Sequence, residues 1–141
     1  MPYPSPRPST FSLHVGRSAT GFGIFADEDI PKGRFIIDYW GKLVPSEVAD
    51  GIGGRYLFDL ENGKTILGGT RKNIARYVNH ACRPNAEVRI SKNHVYIYST
   101  KRIKAGEEVT YDYGKEYFDE FIKAHRCLCR TCVKKRKYKR L

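Results

Sequence analysis

This chain is predicted to adopt a mainly β fold with small helices, on three observations. Short runs of β-branched and aromatic residues recur between glycines, and helical periodicity is scarce. The 141 residues also suffice for one core, since a chain of that size buries roughly 68% of the surface its unfolded form exposes. A second domain would leave neither half enough apolar surface to bury.

The elements follow in order. Residues 1–10, "MPYPSPRPST", alternate Pro2, Pro4, Pro6 and Pro8 with polar or aromatic residues, a pattern that favours an extended, flexible arm. From Phe11 onward come the strand-like runs "FSLHV", "GIFA" and "FIIDYW", then "SEVAD" as a Ser-capped turn, then "YLFDL" and "KTIL". "KNIARYV" offers a second helical turn, followed by "AEVRI", "VYIYS" and "EEVTYDY". In the last of these, period two places Val109, Tyr111 and Tyr113 on one face, with the two tyrosines about 7 Å apart. "KEYFDEFIKAHR" is the one convincing amphipathic helix, with Tyr117, Phe118, Phe121 and Ile122 on one side.

The net charge of +11 points to a polyanion near the working site, yet the tail "KKRKYKR" carries six of those charges. Such a run reads as a solvated charge cluster, a nuclear-targeting signal or a nucleic-acid attachment. No apolar run approaches the roughly 20 residues needed to cross a bilayer, and the amino terminus has no apolar stretch resembling a secretory signal. A soluble, intracellular protein without a membrane partner is expected.

Three of the four cysteines, Cys127, Cys129 and Cys132, crowd into "RCLCRTC". The one-residue gap strongly strains a Cys127–Cys129 disulfide, whereas the two-residue gap suits a pair of thiolates on one tetrahedral ion. Zinc would then lack one ligand, to be supplied by Cys82, with His125 as the competitor. Free thiols or a redox pair are the alternative. Taken alone, Tyr111 and Tyr113 read equally as core tyrosines with satisfied hydroxyls, and Asn79 and His80 as loop residues bonded to their own backbone.

The strings "TGFGIF", "IDYWGKLV", "RYVNHACRPN", "GEEVTYDYG" and "CLCRTC" together resemble, in order and spacing, a SET-domain protein lysine methyltransferase, over residues 12–132. The resemblance divides the chain into a Pro-rich arm at 1–10, a SET domain at 11–114, a post-SET helix and zinc segment at 115–133, and a basic tail at 134–141. It implies several small curved sheets, with the "NHAC" and "TYDYG" segments meeting in a knot-like crossing. Ala81 departs from the serine usual at its position, and the second gap of the cysteine cluster is shorter than in many relatives.

By the same resemblance, S-adenosylmethionine is the methyl donor, and backbone around Gly21, Phe22 and Gly23 contacts it; glycine permits such close approach. Asn79 and His80 would hold its methionine portion and adenine, and Tyr39 would line the pocket near the methyl group. Arg76 matches a motif arginine at the crossing, with a surface ion pair as its other reading. Leu128 stands where an apolar residue closes over the adenine, with tail packing as its other reading.

Tyr113 would be the catalytic tyrosine, and Tyr39, Tyr111 and Tyr113 would line a lysine channel. Zinc, structural in role, would be held by Cys82, Cys127, Cys129 and Cys132. A hydroxyl at Tyr111 implies mainly monomethylation. The implied substrate is a lysine in a histone or another basic chromatin protein in the nucleus, added as an extended peptide along a strand edge. A catalytically silent SET-like module binding chromatin or nucleic acid is the competing reading.

Overall fold

The computed structural model describes residues 6–19, 21–53 and 56–114. The amphipathic helix expected in "KEYFDEFIKAHR", the "RCLCRTC" cluster and the basic tail lie outside these residues. The described chain is mainly β, with three small sheets, one α-helix and one 3₁₀ turn.

Strand β1 (Leu13–Ser18) pairs antiparallel with β2 (Gly21–Ala26) in unbroken register from Leu13↔Ala26 to Ser18↔Gly21. Strand β3 (Phe35–Tyr39) is buried along its whole length, as its continuous apolar run requires. Strand β4 (Lys42–Pro45) was not anticipated, because four residues ending in proline give a weak pattern. It forms one edge of its sheet, where a proline removes no central ladder bond.

Helix α1 (Ser46–Ile52) follows at once. The expected serine cap does not form: Pro45 occupies the capping position, and the Ser46 hydroxyl pairs with that of Thr65 at 2.9 Å. Strand pairing of Pro45 with Lys64 carries β4 right up to the helix and leaves Ser46 as its first residue. Strands β5 (Leu57–Asp59) and β6 (Lys64–Leu67) complete this sheet in the order β4-β6-β5.

"KNIARYV" supplies the 3₁₀ turn Ile74–Tyr77, which leads into the two-residue strand β7 (Asn79–His80). Strands β8 (Ala86–Ser91) and β9 (His94–Ser99) form a hairpin whose turn residues, Lys92 and Asn93, both have positive φ. Such a turn matches the twist of the strands it joins. Along β9, Val95, Ile97 and Ser99 point inward and His94, Tyr96 and Tyr98 are half-buried, the alternation expected of a strand with one wet face. Its sheet has the order β3-β9-β8.

Strand β10 (Glu108–Tyr111) sits in the remaining sheet, ordered β1-β2-β10-β7, antiparallel to β2 and parallel to β7. The three sheets enclose one core, in which Ile24, Ile30, Ile36, Val95, Ile97, Ile103 and Val109 are fully buried. No described helix is long and apolar enough to cross a membrane. In the Pro-rich segment, Arg7 donates its backbone N–H to the Asp38 carboxylate at 3.0 Å and sets its guanidinium over the Phe35 ring at 4.0 Å.

Candidate functional site

The parallel pairing of β7 with β10 builds the site. Its register, Thr110↔Asn79 and Tyr111↔His80, brings together two segments about 30 residues apart in sequence that no local pattern could have joined. Because β10 also pairs with β2, through Glu108↔Phe25 and Val109↔Ile24, the Gly21–Phe22–Gly23 stretch flanks the same crossing.

Asn79 ties the crossing together. Its side-chain amide lies 2.8 Å from the Phe22 carbonyl oxygen, 2.8 Å from Glu108 Oε2 and 3.0 Å from Ser18 Oγ. An NH₂ group has two hydrogens, so these three acceptors share two full bonds. Gly23 is what permits this geometry: a Cβ there would collide with the Glu108 carboxylate and stand 3.1 Å from Asn79 Nδ2. Gly21, at φ +116°, is in a backbone conformation that side chains oppose.

The His80 side chain is only 5% exposed. Its Nδ1 accepts the Tyr113 backbone N–H at 3.1 Å, which places the proton of the neutral ring on Nε2, 3.5 Å from Cys82 Sγ. Burial lowers the imidazole pKa below 6.5, and Asp112, 3.6 Å from Nδ1, opposes that shift weakly. The ring therefore favours its neutral form.

Beyond Tyr111 the chain leaves the strand, and the two phenols converge: the Tyr111 and Tyr113 ring centroids are 4.9 Å apart. Tyr111 belongs to the buried core together with Tyr39, and Tyr113 packs against that cluster with its ring 5.4 Å from His80. The Tyr113 hydroxyl donates to the Val78 carbonyl at 2.5 Å. With its hydrogen committed there, the oxygen acts toward any further partner as an acceptor.

Arg76, in the 3₁₀ turn, donates to the Gly69 carbonyl and the Tyr77 hydroxyl, and its guanidinium lies 4.9 Å from the Tyr56 ring centroid and 4.6 Å from that of Tyr77. Its buried Nε has no hydrogen-bond partner among the described residues. Its guanidinium thus sits among aromatic rings and makes no ion pair among the described residues. Phe22 meets Tyr77 edge-on and is 53% exposed.

Cys82 is exposed, and among the described residues no three His, Cys, Asp or Glu side chains gather as a metal site. Cys127, Cys129, Cys132, His125 and Leu128 lie outside the described residues.

Two residues of this site went unremarked in the sequence. Asn85 donates to the Glu108 carbonyl at 2.8 Å and accepts the Thr110 N–H at 2.9 Å, bracing β10 from the side. Glu108 supplies the carboxylate that Asn79 binds. Both sit inside quoted motif strings, but their roles depend on pairing across the crossing.

The family model for the SET domain matches residues 21–114. The fission yeast Schizosaccharomyces pombe protein "Histone-lysine N-methyltransferase, H3 lysine-4 specific" is 37% identical over 131 residues, covering 83% of this chain and 14% of that protein. "Histone-lysine N-methyltransferase set-2" of Caenorhabditis elegans is 36% identical over 127 residues, covering 79% and 8%. This chain thus spans a small part of the curated relatives it matches.

Among solved structures, KRYPTONITE in complex with mCHH DNA, an H3(1-15) peptide and SAH superposes with a TM-score of 0.68 at 28% identity, covering 77% of this chain and 24% of that one. An autoinhibited ctPRC2 bound to S-adenosylmethionine superposes with a TM-score of 0.67 at 31% identity, covering 75% and 15%.

Proposed function

The chain belongs to the SET-domain family, as a homologue of histone-lysine N-methyltransferases, and from that premise we propose that it transfers a methyl group from S-adenosylmethionine to a lysine of histone H3 or a similar basic chromatin protein. The observation that carries this reading is the β7–β10 crossing, which gathers Asn79, His80, Tyr111 and Tyr113 beside the Gly21–Gly23 strand.

The residues present suit the cofactor. Arg76 offers a buried Nε with no hydrogen-bond partner among the described residues, Gly23 keeps the strand clear of a side chain, and half-exposed Phe22 offers an aromatic face. S-adenosylmethionine, when bound, supplies an electrophilic sulfonium methyl. Gly21, Phe22, Gly23, Arg76, Asn79 and His80 would hold it, and Leu128 would close over it.

The protein's own contribution is alignment and desolvation, which in well-oriented systems is worth roughly 7 to 11 kcal/mol. Tyr39 and Tyr111, both buried, would give the lysine stem an apolar sleeve, and exclusion of water would depress the amine pKa toward the neutral nucleophile. The Tyr113 oxygen, its hydrogen donated to Val78, would accept a weak C–H···O contact from the transferring methyl. The Tyr111 hydroxyl occupies space that a second methyl group would need, so monomethyl-lysine is the main product. A structural zinc on Cys82, Cys127, Cys129 and Cys132 would tie the carboxyl-terminal segment to the loop that presents His80.

Tyr113→Phe is the test. Methyl transfer to an H3 peptide should be abolished while the chain stays folded, with a loss of about 1 kcal/mol of stability from the missing bond to Val78; near wild-type rates would sink the assignment of Tyr113. An inactive wild-type chain that still binds DNA in a salt-sensitive manner would instead favour the chromatin-binding module.

A further inference from the structure

Asn73 is completely buried, and no part of the proposed chemistry uses it. Its side-chain amide works at both ends. Nδ2 donates to the Gly68 carbonyl at 3.0 Å, and Oδ1 accepts the Trp40 backbone N–H at 3.3 Å. Its main chain is held as well, with its N–H on the Thr70 carbonyl at 3.0 Å and its carbonyl on the Arg76 N–H at 3.2 Å.

The two groups that Asn73 joins are those that seat Tyr39. Trp40 is the next residue in the chain. Gly68 lies hard against the Tyr39 phenol: a Cβ built on Gly68 would collide with its hydroxyl, Cζ and Cε1. A Cβ on Gly41 would likewise collide with the Leu67 carbonyl, so Gly41 meets the 67–68 segment backbone to backbone. Phe58 also packs against Tyr39, its ring centroid 5.5 Å away and tilted by 50°. Bridging one N–H and one C=O at this short reach needs a side chain that donates and accepts together. Asparagine does both, whereas aspartate cannot donate when ionised and leucine does neither.

We propose that Asn73 is a positioning residue for Tyr39: its amide clamps Trp40 to Gly68, seats the Tyr39 ring against the bare Gly68 backbone, and thereby sets how many methyl groups the lysine channel admits. This rests on the methyltransferase reading above. Release of the clamp lets Tyr39 shift, and the free space around the lysine nitrogen changes with it. Gly68→Ala displaces the same ring while leaving the clamp intact.

The experiment uses the full chain with Asn73→Ala, Asn73→Asp and Gly68→Ala. Two properties are read. Trp40 is the only tryptophan, so its emission maximum and its quenching by acrylamide report on the clamp without any need for activity. The ratio of mono-, di- and trimethyl product on an H3 peptide, with kcat and the cofactor KM, reports on Tyr39.

Asn73→Ala should make Trp40 more quenchable, and all three variants should shift the product ratio. For Asn73→Ala, which loses both side-chain hydrogen bonds, kcat should fall at unchanged cofactor KM. A merely structural role would lower activity with the folded fraction and leave the ratio untouched, and that outcome overturns the proposal. If the Asn73 variants do not fold, Gly68→Ala carries the product test. A wild-type chain that methylates nothing refutes the proposed function, whereas unaltered Trp40 quenching in a folded Asn73→Ala refutes the clamp whichever way that first result falls.

Discussion

Asn79→Ala removes the side chain that joins β7 to both β2 and β10, and the size of the loss can be worked out. Two of its three contacts can be full bonds at once. One goes to a neutral acceptor, contributing about 0.5–1.5 kcal/mol, and one to the Glu108 carboxylate, contributing about 1.5–3 kcal/mol. Both side chains are only half-buried, so the lower part of that range applies, and about 2 kcal/mol of destabilisation is expected. For a chain of this size that is a fall in Tm of roughly 4–8 °C.

Thermal melts of wild type, Asn79→Ala, Glu108→Ala and the double variant form the assay. The cycle should yield a coupling of about 1.5 kcal/mol between Asn79 and Glu108. Binding of S-adenosylhomocysteine should weaken in Asn79→Ala by more than in Glu108→Ala, since Asn79 is also assigned to the cofactor. Additive melts, with no coupling beyond error, would refute the view that this amide holds the crossing together.

Three other outcomes are expected. Tyr111→Phe should move product from monomethyl toward di- and trimethyl-lysine by mass spectrometry, and an unchanged distribution would reject the role given to its hydroxyl. Cys82→Ser should lower both the zinc content measured by elemental analysis and methyl transfer, and full activity without metal would return the cysteine cluster to an unexplained tail. Burial raises the Asp38 pKa above 3.8, against the opposing Arg7 N–H and the His94 imidazole 3.2 Å away. A raised folded-state pKa favours the protonated form, so its stabilisation is complete below pH 3.8 and is lost as pH rises through the folded value. The stability of Asp38→Asn relative to wild type should therefore grow from acid toward neutral pH, and a pH-independent difference would exclude the effect.

How far the sequence could be read varied with the reach of each interaction. Apolar runs such as "FIIDY" and the alternation of "HVYIYS" announce their strands because burial of a face is written into neighbouring residues. Strand β7 has two residues and no such period, and it exists because β10 offers it a partner. The Ser46 cap failed for a related reason: the position of the helix start was set by the pairing of β4 with β6, not by the local preference of serine.

The ordered motif strings were enough to identify Asn79, His80, Tyr111 and Tyr113 as a group, and the chemistry of each side chain follows from its residue type. What those side chains do to one another was decided only in three dimensions. The neutral ring of His80 follows from the Tyr113 N–H that meets Nδ1 and from burial at the crossing. The Tyr113 hydroxyl could have been a core group satisfied anywhere, and its orientation comes from the Val78 carbonyl. Asn73 and Gly68 are five residues apart in a stretch without pattern, and their meeting beside Tyr39 comes from the packing of one sheet's end against another's. Periodicity records which face a residue turns to the core, but a hydrogen bond between distant segments is set by the register that the whole chain settles on.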